Sequence, residues 1–282
     1  MTARAEPGAR RPTRSVAGLG WPIETLALLA GLALGLPVVV LVVRAVLDGS
    51  LRAAAGAGVV ADALALSLLT TSISLALTVV IGVPLALVLA RGPFRGSTIL
   101  ETVIDLPIVL PPSVAGLALL LLLGRRGFLG EPLQAIGVEI PFTTLAVILA
   151  QTFVSAPFFI RSARTGFASV DHDLEDAARV DGASERQVFT SITAPLAGAA
   201  LAAGLVMSWA RSLGEFGATI MFAGNVGGRT QTLPLVVYGE FQGGDLDASI
   251  AAAAILVLAA FGVLVAVRIL HWGRVLDVRG VG

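Results

Sequence analysis

Six stretches of this 282-residue chain carry no ionisable side chain and are long enough to cross a bilayer: residues 25–43, 63–90, 106–124, 140–160, 187–210 and 248–267. About 20 helical residues span a hydrocarbon core of about 30 Å. No water reaches the backbone there, so its N–H and C=O groups have to be satisfied within the segment and the runs have to be helices. The fifth run must begin late, because Pro195 suits the first turn of a helix and not its middle. The chain is 56% hydrophobic and 13% charged, with a mean hydropathy of +0.91. That is about half the charge of a soluble domain, too little to cover a surface that faces water. The expectation is an all-α polytopic membrane protein with six transmembrane helices.

The residue types that are missing exclude chemistry. There is no cysteine, hence no disulfide, thiolate metal site, iron–sulfur cluster or thiol nucleophile. All 19 basic residues are arginine, and a phosphate-binding loop of the Walker type needs a lysine. The chain is therefore not an ATPase by itself, nor a Schiff-base enzyme. Its two histidines, His172 and His271, fall outside the six runs, and no paired aspartates lie within them. No catalytic residue and no metal site are assigned. An ion-driven secondary transporter would need an ionisable group deep in a span, whereas Asp105, Arg211 and Glu215 lie near span ends.

Arginine asymmetry orients the chain. With the N-terminus inside, the inner side holds Arg4, Arg10, Arg11, Arg14, Arg91, Arg95, Arg161, Arg164, Arg179, Arg186, Arg268, Arg274 and Arg279. The outer side holds Arg44, Arg52, Arg125, Arg126 and Arg229. Thirteen against five puts both termini in the cytoplasm. The first run is long for the apolar part of a signal peptide and lacks a convincing cleavage site, so it reads as a retained anchor. The expected division is a cytoplasmic tail at 1–22, a first transmembrane helix at 23–47, a five-helix transmembrane domain at 60–271 and a second tail at 272–282.

Two segments stand out. The third run is interrupted by Leu110-Pro111-Pro112-Ser113; an isolated proline would be a packing kink, but a double proline beside Ser113 and Gly116 suits a cavity wall or gate. Between the fourth and fifth runs lies the longest charged segment, a loop at 163–191. There Asp171 or Asp173 can cap a helix whose acidic first turn suits the dipole. Gly182 can stop it in the left-handed conformation, and Ser184 with Gln187 can open a second helix through a capping box. Leu174, Ala177, Ala178 and Asp181 recur at helical spacing, and the adjacent alanines leave a small footprint open to a partner surface.

This loop resembles that of ATP-binding-cassette importer permeases, written E-A-A, three residues, G, nine residues, I-x-L-P. Here it is Asp176-Ala177-Ala178, Gly182 and Ile192-Thr193-Ala194-Pro195, with Asp176 in place of glutamate and Ala194 in place of leucine. Leu106–Gly116 by sequence, Gly124-Arg125-Arg126-Gly127 and Arg211-Ser212-Leu213-Gly214-Glu215-Phe216-Gly217-Ala218-Thr219 look like the molybdate-type permeases; sulfate-type permeases share Leu-Gly-Glu-Phe-Gly. The resemblance implies the type I importer permease fold, working as a homodimer with two ATP-binding subunits and an external substrate-binding protein. ATP and magnesium would sit on the ATP-binding subunit, with no cofactor on this chain. The cargo it implies is molybdate, with tungstate, sulfate or thiosulfate as alternatives. Asp171, Asp176, Ala177, Ala178 and Gly182 would couple to the ATPase. Pro111, Pro112, Ser113, Arg211, Ser212, Gly214 and Glu215 would form the translocation path or its gate. Arg125 and Arg126 would attract the anion, or equally contact lipid head groups. Arg211 and Glu215, four residues apart, share a helix face if the fifth helix continues through them, as a gate or as a structural anchor. The short apolar stretch 216–228 would fold back at the outer surface, ahead of Thr232-Leu233-Pro234-Leu235, where the binding protein could dock.

Overall fold

The computed structural model describes residues 21–56 and 58–277, and among these every regular element is helical. In chain order the helices are α1 (Trp21–Leu47), α2 (Ser50–Gly56), α3 (Gly58–Ala90), α4 (Ser97–Val109), α5 (Pro112–Leu123), α6 (Gly130–Ala135), α7 (Thr144–Ala168), α8 (His172–Val180) and α9 (Glu185–Val188). They continue as α10 (Ala194–Leu196), α11 (Gly198–Leu213), α12 (Gly217–Phe222), α13 (Leu233–Gly243) and α14 (Leu246–Asp277). Four of these are long and apolar enough to cross a membrane: α1, α3, α7 and Leu246–Val267 of α14. Two bent pairs bring the number to six if each pair is one span. Arg4, Arg10, Arg11, Arg14 and Arg279 lie outside the described residues, as do the side chains of Arg268, His271 and Arg274, so the arginine asymmetry stands on the sequence.

The face that α3 turns into the bundle is small and polar where a soluble core would place large apolar side chains. One face of α3 buries Ser67, Thr70, Thr71, Ser74, Thr78, Gly82 and Ala86, while Leu69, Ile73, Val80, Ile81 and Val88 are exposed. Lipid tails are as apolar as leucine, so large aliphatic side chains gain nothing by turning inward. Small residues let backbones approach, and hydroxyls bond across the interface. The partner is α7. Thr152 Oγ1 donates to Ser74 Oγ at 3.1 Å, and Gln151 reaches Thr71 at 3.5 Å. A Cβ on Gly82 would lie 2.8 Å from the Phe159 ring. On its other side α7 meets α11, where Ser208 Oγ donates to the Ser155 carbonyl at 3.1 Å and Ser162 Oγ to that of Ala200 at 2.7 Å. Helix α7 is thus the central post, with α3 and α11 beside it.

The third run is not one straight span. Its chain turns through 119° between α4 and α5. Leu110 is extended, as a residue before proline prefers, and Pro112 opens α5 without an N–H to satisfy. At 12 residues, α5 is about 18 Å long and crosses no bilayer alone. The two halves lean on different parts of α7. Ala115 and Leu119 of α5 pack with Ala146, Val147, Ala150 and Val154. Asp105 and Glu101 of α4 pair with Arg161 at 2.8 Å and Arg164 at 2.9 Å. Those pairs also let α7 run to Ala168, well past the charge-free run that ended at 160. The fifth run is broken as well, by 73°: Pro195 sits in the first turn of α10, and α11 starts only at Gly198.

Two expectations near the end are corrected. Within the stretch 216–228 expected at the outer surface, residues 217–222 form α12, in which Ala218, Thr219 and Phe222 are fully buried, while 225–229 are exposed. Thr232, Leu233, Leu235 and Val236 are buried too. The Leu233 N–H, an orphan donor at the start of α13, donates to Ser67 Oγ of α3 at 2.8 Å. Nothing at 232–235 is open for docking. Helix α14 runs to Asp277.

At the crossing of α5 with α12, a Cβ on Gly116 would come within 2.6 Å of the Ala218 carbonyl oxygen and 2.8 Å of its Cα. That is backbone and cannot rotate away. Gly116→Val is expected to destabilise the protein by about 1–3 kcal/mol, read as a lower Tm in detergent. Val114→Ala, on the exposed face of α5, should leave Tm unchanged. Equal Tm values for G116V and the parent would contradict this packing.

Candidate functional site

The loop after α7 is built as a hinge between two capped helices. Asp171 caps α8 by accepting the Asp173 N–H at 3.0 Å, with Asp173 and Glu175 in the first turn. Gly182 has a φ of +89°, and nothing lies within 4 Å of where its Cβ would be. Conformation, not crowding, therefore demands glycine there. The Ser184 N–H donates to Gln187 Oε1 at 2.8 Å, completing the capping box that opens α9. The chain then makes one π turn, Phe189–Thr193, before Pro195.

The two faces of α8 differ sharply. Outward stand Leu174, Ala177 and Val180, Val180 with 86% of its surface exposed. Asp176 and Asp181 are exposed on the same element, and Ala178 is half-buried. Inward stands Glu175, 1% exposed. Its carboxylate accepts from both Arg91 Nη atoms, one at 3.0 Å, and from the Thr193 hydroxyl, and His172 Nδ1 lies 3.4 Å away. Arg91 follows the last residue of α3 and Thr193 ends the π turn, so one carboxylate joins three elements. Burial pushes the Glu175 carboxyl up. The bond from Thr193 and the bonds and charge of Arg91, with help from His172, outweigh it and hold the group below the usual carboxylate range.

Arg179 braces the hinge from outside. It donates to Glu185 at 2.7 and 3.1 Å and to Asp176 at 2.6 Å. Its bonds to Glu185 and Asp176 hold the guanidinium proton more tightly than usual, and the Arg179 bond lowers Glu185. Asp176 is thus occupied within its own helix. Sequence reading missed Glu175, Arg91 and Thr193. The one local signal was Glu175 with Arg179 at helical spacing; Arg91 is 84 residues away.

The second group of residues does converge. Helix α11 ends at Leu213, yet Arg211 Nη1 still reaches Glu215 Oε2 at 2.6 Å. The other oxygen of Glu215 accepts the Ala218 N–H at 2.7 Å, capping α12. A Cβ on Gly217 would lie 2.7 Å from Pro112 Cβ, so the 214–218 segment lies directly on the proline break. Pro111, Pro112, Ser113 and Gly214 are exposed around this contact and the Arg211 side chain is 28% exposed. Ser212 and Glu215, each 1% exposed, are buried and line no open surface. At the end of the bundle opposite α8, Arg125 pairs with Glu139 at 3.2 Å, so it is not a free cation; Arg126 is exposed, without an ion pair among the described residues. No cluster of three His, Asp or Glu suited to a metal ion occurs among the described residues.

Residues 82–272 match the family model described as "Binding-protein-dependent transport system inner membrane component". The molybdenum transport system permease protein ModB of Escherichia coli (strain K12) is 43% identical over 167 residues, 58% of this chain and 73% of that protein. A sulfate transport system permease protein of Escherichia coli (strain K12) is 35% identical over 187 residues, 66% of this chain and 68% of that one. Among solved structures, that of a bacterial ABC transporter involved in the import of the acidic polysaccharide alginate superposes with a TM-score of 0.55. It covers 93% of this chain and 99% of that one at 17% identity, a likeness of fold.

A carboxylate whose folded pKa is lowered contributes stability above its ordinary pKa and loses it as pH falls through the lower, folded value. Protection factors of the α8 amides in the purified protein are therefore expected to be flat from pH ~8 to ~5 and to fall below pH ~4. Loss of protection between pH ~8 and ~6 would contradict the Glu175 attachment.

Proposed function

We propose, for a chain that belongs to the family of binding-protein-dependent transport system inner membrane components, that it is the permease subunit of an ATP-binding-cassette importer of a tetrahedral oxyanion, in the first place molybdate. The single observation that carries the coupling role is α8: a capped helix on a glycine hinge, presenting Leu174, Ala177 and Val180 to solvent. Each large apolar side chain covered in a partner's cleft contributes about 1.5–3 kcal/mol. The occupant of that surface is the ATP-binding subunit, which holds ATP and magnesium; this chain binds no cofactor and cleaves no bond. Two copies, two ATP-binding subunits and an external binding protein make the working assembly, embedded in the cytoplasmic membrane with both termini and α8 inside. The choice of molybdate is supported by the higher identity to molybdenum permeases than to the sulfate permease; tungstate and sulfate or thiosulfate are the alternatives.

In this reading the path runs beside the proline break. The exposed edge of Pro111, Pro112, Ser113 and Gly214 forms a wall with few side-chain hydrogen bonds to trap an anion. Arg211 supplies positive charge there, fixed by Glu215, which acts behind the wall and not on it. The α5–α12 contact is the element that would open. Arg126 at the outer end attracts the dianion more strongly than Arg125, whose charge Glu139 already offsets.

Labelled molybdate should accumulate in vesicles carrying the whole complex, only with ATP and the binding protein. Uptake driven by an ion gradient without ATP would favour a secondary transporter. Transport of a neutral sugar or amino acid would overturn the substrate assignment. Gly182→Val, which forces a β-branched residue into the left-handed region at about 1–2 kcal/mol, is expected to abolish uptake, while Gly182→Asn retains part of it. Normal uptake with G182V would contradict the coupling role of this hinge.

A further inference from the structure

We infer that Glu175 is a positioning residue of the transport cycle: its buried carboxylate is the joint through which movement of α8 is passed to α3 and to the foot of α11. The inference rests on the reading that α8 docks the ATP-binding subunit.

The connectivity is the argument. Helix α8 is attached to the preceding α7 through three residues and to α9 through the Gly182 hinge, whose glycine restrains it little. Its apolar side faces away from the body. What ties it to the bundle is the inward carboxylate. Glu175 is held by Arg91, directly after α3, and by Thr193, at the end of the π turn that leads into α10 and α11. A π turn inside a helical run is a wide, less regular turn that recurs at functional sites, and Thr193 is itself buried. Buried charge is tolerated only where it is paired and bonded, and these partners come from two other elements. When α8 tilts, Glu175 cannot stay behind without losing both. It therefore draws the end of α3 and the start of α10–α11 together. Those are the two helices that flank α7, and α11 leads at its other end to Arg211, Glu215 and the α5–α12 contact. Arg179, by contrast, bonds only within the α8–α9 hinge and keeps its shape.

The test uses the assembled complex in vesicles and reads two quantities, ATP hydrolysis stimulated by loaded binding protein and molybdate uptake, with their ratio as the measure. Glu175→Gln keeps the size of the side chain and removes its charge. Thr193→Val removes only the link to the π turn. Both are expected to assemble and hydrolyse ATP, with uptake per ATP lowered about tenfold or more, the scale of one lost hydrogen bond to a charged group. Arg91→Gln combined with Glu175→Gln should cost no more than either alone, because both break one joint. An unchanged ratio in T193V overturns the inference, even if E175Q fails to assemble. So does full additivity of the Arg91 and Glu175 changes. Val180→Asp separates this from the underlying reading. If V180D assembles and transports normally, α8 is not the docking surface. If V180D loses the ATP-binding subunit while T193V keeps its full ratio, docking stands and the joint does not.

Discussion

Inside a bilayer, apolar side chains gain nothing by leaving lipid for protein, and everything else in this molecule follows from that. Helices must be held by close backbone approach and by hydroxyl and amide bonds. The Ser67–Thr70–Thr71–Ser74–Thr78–Gly82–Ala86 face of α3, set against Gln151, Thr152 and Phe159 of α7, meets that requirement. With α7 fixed on one side by α3 and on the other by α11, α4, α5 and α12 can be short, bent and charged. Their stability is supplied by the post they lean on.

The bends are where a function can reside. At Pro111–Pro112 the chain gives up helical continuity, and α12 fills the angle at backbone contact through Gly116 and Gly217. Glu215 serves that contact twice, capping α12 with one oxygen and pairing Arg211 with the other. At the other end of α11 a second break, with its π turn, receives the loop helix through Thr193. The molecule thus has two irregular contacts, one at each end of the same 16-residue helix. In the proposed cycle, α11 would carry displacement from one of these contacts to the other.

Much of this was legible in the sequence because lipid imposes a simple rule. The charge-free runs located α1, α3, α7 and α14, and cap chemistry located α8, Gly182 and the Ser184–Gln187 box. What stayed hidden depended on pairing at a distance. Arg161 and Arg164 read as the end of a span, but Asp105 and Glu101 neutralise them within α7. Thr232-Leu233-Pro234-Leu235 reads as an open loop, but Ser67 accepts the Leu233 N–H and buries it. Glu175 reads as one more charge on an acidic helix, beside the Asp176 that family resemblance singled out. Only the fold places it against Arg91. The double proline was visible, whereas the size of its bend depends on α12, whose burial no local pattern announced.

Seating of the ATP-binding subunit on the outward face of α8 is directly measurable, because the chain lacks cysteine. Val180→Cys would be the only thiol of this subunit, and a short thiol-to-amine crosslinker would be applied to the assembled complex in membranes. The account predicts a crosslinked product of this chain with the ATP-binding subunit, its yield changing when ATP is added, and none from Phe128→Cys, exposed at the opposite end of the bundle. No product from position 180, or equal products from 180 and 128, would contradict it.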